Sequence, residues 1–204
     1  MRAMVYCSGN TRTLFERFLM FTTLAAALLF TQASTTASQP MPTGDALEQE
    51  VAANDARLFW GFFEGCNPDA VAELVHPDFR MLHDLVGMAT SSGAQMIEQA
   101  RENCANRRPG GANEGYRNRR LLVPGSRRIQ KLGDWGALEE GLHTFHEWRA
   151  HANGGQGGWV LTGGGRYIHS WQWMPQEGRF RLLESLSIDH GPAMPYPPRS
   201  GAGE

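Results

Sequence analysis

Residues 159–190 read WVLTGGGRYIHSWQWMPQEGRFRLLESLSIDH. Tyr167, His169, Trp171 and Trp173 take alternate positions here, opposite Arg166, Ile168, Ser170 and Gln172. That period of two marks a strand with one face turned to a core. Gln176-Glu177-Gly178 supplies hairpin chemistry, and Arg179–His190 resumes the strand pattern. Upstream, the pattern predicts further strands at Trp135–Ala150, Arg127–Leu132 and Tyr116–Val123. Gly133-Asp134 is a second hairpin turn, and Gly154–Gly158 (GGQGG) is a loop between the two longest strands.

Before the basic, Gly-rich loop at 106–115 the pattern is helical. Leu47, Val51, Leu58, Phe59, Phe62 and Phe63 recur at helical spacing, and Asp45 with Glu48 predicts a capping box. Gly65 and Asn67-Pro68 stop this helix, and Asp69 starts a short one over Ala70–Val75. Phe79, Met81 and His83 then alternate with Arg80, Leu82 and Asp84, a strand that turns through Leu85-Val86-Gly87. Ser92 begins a third helix through Met96, Ile97, Ala100 and Cys104. Helices first and an antiparallel meander after them predict an α+β fold, with the helices covering one face of the sheet. No internal repeat is present.

The chain has 204 residues, 41% of them apolar, enough for one sizeable core. Its net charge of −2 argues against nucleic acid as a partner. Phe18–Phe30 (FLMFTTLAAALLF) is uncharged and follows Arg12 and Arg17. A membrane span needs about 20 apolar residues, so this run fits a secretory signal better than an anchor. The expected organisation is a signal peptide at 1–37, a linker at 38–44, a folded domain at 45–191 and a disordered tail at 192–204. The implied location is periplasmic or secreted, with no stable membrane span after cleavage. In such a compartment Cys66 and Cys104 are able to form a disulfide, the alternative being two unlinked buried thiols.

Three stretches carry a family resemblance: Phe79–Gly87 (FRMLHDLVG), Gly133–Phe145 (GDWGALEEGLHTF) and Gly178–His190 (GRFRLLESLSIDH). With the element order above, the chain resembles the nuclear transport factor 2-like superfamily over residues 45–191. Within it the chain is similar to the domain of unknown function 4440 and SnoaL-like families. The resemblance implies a cone-shaped fold, with three N-terminal helices packed in a strongly curved antiparallel sheet and a pocket at the open end. It also implies a homodimer. Members include isomerases, dehydratases, cyclases and proteins without catalysis, so the fold alone does not choose a function. The acidic base and oxyanion donors of the steroid isomerases have no residue-by-residue match here.

The histidines are the main chemical signal. If the aromatic face of the sheet is concave, His83, His143 and His169 all point into the cone. Imidazole titrates near neutrality and suits general acid–base work, with Asp84 or Glu139 to orient a ring. The expected catalytic set is His83, Asp84, His143 and His169. Tyr167, Trp171, Phe145, Trp60 and His190 are the expected ligand-binding residues. The competing reading of each histidine is a hydrogen-bonded residue of a half-buried strand. Three inward histidines would suit zinc, iron or copper, but the His-x-His spacing of metal-binding barrels is missing, so neither a metal nor another cofactor is expected.

Arg117, Arg119, Arg120, Arg127 and Arg128 read as a solvated sheet surface. Gly163-Gly164-Gly165 precedes no helix and is not a phosphate loop. Ser185 and Ser187 lack a Gly-x-Ser-x-Gly elbow, which argues against a serine hydrolase. The expectation is therefore an exported domain with an aromatic and histidine-lined pocket for a small molecule. It would act as an acid–base isomerase, dehydratase or cyclase on a carbonyl compound, or else be a non-catalytic binding or dimerisation module.

Overall fold

The computed structural model describes residues 38–194; the expected signal peptide and most of the expected tail lie outside the described residues. The elements run α1 (Asp45–Phe62), α2 (Pro68–Leu74), β1 (Val75–His83), β2 (Gly87–Thr90), α3 (Gly93–Asn106), β3 (Asn118–Leu122), β4 (Arg128–Leu132) and β5 (Gly136–Arg149), then a one-turn α4 (Ala152–Gly155), β6 (Gly158–Met174) and β7 (Arg179–Gly191). One sheet has the order β2-β1-β7-β6-β5-β3, and β4 also pairs with β5. Every pair is antiparallel except β1–β7, which is parallel. The sheet is thus mixed rather than wholly antiparallel. Strand β2, helix α3 and the four strands β3–β6 separate β1 from β7 in the chain, so a crossover brings them side by side.

Two caps differ from expectation. Asp45 is the first helical residue behind an N-cap Gly44 and makes no side-chain cap, although its charge still favours the helix N-terminus. Asn67, not Asp69, opens α2: its Oδ1 accepts from the Ala70 N–H at 3.1 Å, with Pro68 pre-set at the first position. Ser92 caps α3 as expected, accepting from the Gln95 N–H at 3.2 Å.

The core lies where α1 and α2 meet the long strands. Leu47, Val51, Leu58, Val71 and Leu74 pack with Phe79, Trp171, Phe180 and Leu182. Asp55 falls in the same buried stripe of α1, between Val51 and Leu58, and is 0% exposed. A charge at that position needs partners. Cys66 and Cys104 are bonded, tying the α1–α2 turn to the end of α3 across 38 positions of sequence. Part of the expected linker is docked on the hairpin end of the sheet: the Gln39 N–H donates to the Pro175 carbonyl, Trp173 Nε1 donates to the Gln39 carbonyl, and Met41 packs on the core. No helix among the described residues is long and apolar enough to cross a membrane.

Candidate functional site

The concave face of the sheet and α1 enclose a cavity of about 480 Å³, in the size range of small-molecule sites. Its wall is largely apolar, from Leu58, Phe59, Phe62, Phe79, Met81 and Phe145. Into it come four histidines, His83, His143, His169 and His190, with Tyr167, Ser185 and Ser187. They do not converge on one point. His83 and His190 stack 4.0 Å apart, His190 lies 6.5 Å from His143, and Tyr167 stands between His143 and His169 at 5.3 and 4.6 Å.

The deep end is an ionic network. Asp55 Oδ2 accepts from Arg120 Nη1 at 2.7 Å and Arg127 Nη2 at 3.0 Å. Glu139, fully buried on β5, pairs with Arg127 Nε at 3.1 Å and accepts from Tyr167 OH at 3.1 Å and Trp171 Nε1 at 2.9 Å. His169 Nδ1 lies 3.5 Å from Asp55 Oδ1 and 3.8 Å from Glu139 Oε2. Burial opposes charge on His169, but both carboxylates favour it and the net shift is upward. Burial likewise opposes the Asp55 carboxylate, and Arg120 with His169 outweighs it, leaving Asp55 well below the usual carboxylate range.

This network decides the state of His143. Arg120 Nε donates to His143 Nδ1 at 2.9 Å, so the ring's proton sits on Nε2. Burial, then the positive charge of Arg120, pushes the His143 pKa down to about 2. His143 is therefore a neutral imidazole, and its buried Nε2–H has no partner among the described residues. Such a group is a fixed hydrogen-bond donor, not a base.

The mouth is organised by Asp84. Its Oδ1 lies 2.6 Å from His190 Nδ1, and its Oδ2 accepts the His190 backbone N–H at 3.0 Å. That backbone bond leads the downward shift of the Asp84 carboxyl, against a smaller opposing effect of burial. The ionised carboxylate assigns the His190 proton to Nδ1 and leaves Nε2 as an acceptor, which meets Ser187 Oγ at 3.1 Å. His83 is 3.3 Å from Asp84, but its Nδ1 accepts the Leu85 N–H, and burial and His190 lower its pKa. Asp84 thus orients His190, and His83 is the flat wall behind that ring.

Three expectations are corrected. Trp60 is 52% exposed and lies outside this cavity, against Gly65 and in a separate hollow with Arg120, Leu121 and Leu122 of β3. Trp171 is buried behind His169 and serves as a donor to Glu139. Arg120 is not a solvated residue: its side chain is 2% exposed and lies over the Phe59 and Tyr167 rings. Asp55, Arg120, Arg127 and Ser187 went unpredicted as site residues. The available sign for Asp55 was a carboxylate occupying an apolar helical stripe.

Among the described residues, two groups have the donor types of a metal site. His83, Asp84 and His190 are close enough together, but the two rings stack with 12° between planes, and parallel rings do not aim lone pairs at one ion. Asp55, Glu139 and His169 are already engaged by two arginines, which leave no net negative charge to attract a cation.

No family model matches the sequence, and no curated protein matches it either. Solved structures do. An NTF2-like superfamily protein from Salmonella enterica serovar Typhimurium is 18% identical, covering 78% of this chain and 98% of its own, with a TM-score of 0.52. A Catenulispora acidiphila protein in complex with S-DNPA is 14% identical, covering 71% and 95%, at 0.53. Aln2 from a Streptomyces species is 13% identical, covering 71% and 91%, at 0.54. At these identities the likeness is one of fold. With three N-terminal helices set against a mixed, mostly antiparallel sheet around one cavity, this chain has the nuclear transport factor 2-like fold.

Proposed function

We propose that the cavity takes up a small, largely apolar carbonyl compound and moves a proton on it, as a SnoaL-like isomerase, dehydratase or cyclase does. One observation carries the reading: a neutral Nε2–H donor, His143, and an Asp84-oriented His190 face the same apolar cavity with ring centres 6.5 Å apart. A substrate atom about 3 Å from each of two groups spans such a separation. His143 polarises the carbonyl oxygen, and His190 takes the proton from the neighbouring carbon. Charge that develops on the oxygen is met by a fixed donor in a low-dielectric wall. Export is part of the proposal, and the Cys66–Cys104 disulfide supports it, since such bonds persist in oxidising compartments.

The test is hydrogen–deuterium exchange at the α-carbon of a panel of aryl and cyclic ketones, followed by NMR. Exchange should be catalysed by the protein and fall by about 10²–10⁴ in Asp84→Asn and His190→Phe, the usual worth of a positioned acid–base group. Ketones that bind, by calorimetry, yet exchange only at the solvent rate would sink the catalytic reading. A binding and dimerisation module is the second reading, favoured by Leu142, 45% exposed on the outer face of β5 beside a groove lined by Val123, Ala193 and Met194.

A further inference from the structure

We infer that Ser187 is a nucleophile that accepts an acyl group from an activated ester or thioester entering the cavity, giving the pocket an acyl-transfer activity besides proton movement. The inference rests on the reading of His190 and Asp84 as a working pair. Ser187 Oγ, His190 Nε2, His190 Nδ1 and Asp84 Oδ1 form a continuous chain with links of 3.1 and 2.6 Å. The order nucleophile, base, orienting carboxylate is the triad arrangement, recognised by geometry rather than by position in sequence.

The backbone is bent to make this chain. Positions 187 and 190 are three apart, so a regular strand would send them to opposite faces. Asp189 adopts φ 58°, the left-handed region that a residue with a side chain rarely enters, and the β6–β7 register shifts between Gly164 and Arg166. The break returns His190 to the face of Ser187. Arg166 Nε holds the Asp189 carboxylate at 3.1 Å, on the outer side. Gly165 makes the room: a Cβ there would lie 3.2 Å from His190 Cδ2 and 3.3 Å from its Nε2. A left-handed residue thus does what the missing Gly-x-Ser-x-Gly elbow does elsewhere, and the glycine run at 163–165 acquires a use. Strain of this kind persists where the surroundings over-determine it.

Neighbouring side chains are assigned the remaining roles. His190 is sandwiched between His83 at 4.0 Å and Phe145 at 6.4 Å, nearly parallel to both, which fixes its plane. His143 Nε2–H, buried and without a partner among the described residues, is the donor assigned to the oxyanion. The apolar wall suits a hydrocarbon or aromatic acyl group. In the step, the Ser187 Oγ–C bond forms as the hydroxyl proton passes to His190 Nε2. The bond from carbonyl carbon to leaving oxygen or sulfur then breaks, and His190 returns the proton to the leaving group. Water, activated by the same ring, releases the carboxylic acid.

The test is covalent labelling of the full chain with an alkyl fluorophosphonate, together with p-nitrophenyl butyrate, read by intact mass and peptide mapping. The expected result is one adduct, on Ser187, absent in Ser187→Ala, retained in Ser185→Ala, and formed at least about 10²-fold more slowly in Asp84→Asn. Thermal melts of each variant separate loss of the nucleophile from loss of the fold. An unlabelled wild type, or a label that survives Ser187→Ala, overturns the inference. If ketone exchange is catalysed while no adduct forms, the acyl activity alone fails; if neither occurs, the His190–Asp84 pair is not a working base.

Discussion

At the scale of single residues, the deep arginines matter more than the histidines they serve. Arg120 touches Asp55 and His143 at once, so one guanidinium neutralises a carboxylate and fixes a tautomer. A pH signature follows. His143 has a pKa of about 2 in the fold against an ordinary 6.5. Between those values the unfolded chain binds a proton that the folded chain does not, so stability rises with pH across the window and is lost as pH falls below about 6.5. His169, shifted upward, acts in the opposite sense: its contribution is present at low pH and fades as pH rises through its folded value. The comparison of wild type with His143→Gln isolates the first effect. Denaturant titrations from pH 6 to 4 should show the wild type losing about 1.4 kcal/mol per pH unit relative to the variant. A difference that stays constant with pH would mean His143 is not held neutral.

At the scale of elements, the helical layer depends on one covalent tie. The Cys66–Cys104 bond joins the turn after α1 to the last turn of α3, and the helices it couples carry the apolar cavity wall of Leu58, Phe59, Phe62 and Met96. Removing a loop closure of this length costs about 2–4 kcal/mol. The paired substitution Cys66→Ala with Cys104→Ala should lower the thermal midpoint accordingly, by calorimetry. It should also weaken ketone binding, because the wall that α1 contributes is then held only by packing. A midpoint unchanged within error would show that the helices dock without the tie. The strand side is robust for another reason: Gly141 faces Tyr167 across β5–β6, and its missing side chain lets the Tyr167 ring lie over β5 and reach Glu139.

At the scale of the molecule, the cone has two faces with different chemistry. The inner face carries the cavity, and the outer face carries Leu142 and the groove beside it. We propose that the outer face joins two copies of the chain. Sedimentation velocity should find a dimer, and Leu142→Glu should shift it to monomer, since a charge set against an apolar partner surface is left unpaired. A wild type that sediments as a monomer at tens of micromolar would end that reading.

Composition and local pattern sufficed for most of the architecture. Alternation in β5 and β6 put Glu139, His143, Tyr167 and His169 on one buried face, because side-chain direction in a strand follows from position alone. Turn residues and Ser92 marked element ends for equally local reasons. Three features depended on tertiary structure, and each has a physical cause. The parallel β1–β7 pair requires a crossover, which no local pattern encodes. The ionic network joins α1, β3, β5 and β6, so the burial of Asp55 and Arg120 becomes favourable only once all four elements meet. The Ser187–His190–Asp84 chain depends on a left-handed Asp189 that cancels the alternation from which strand faces are read. Strand periodicity set the faces of the molecule; a break in it and the closing of the cone decided which side chains meet.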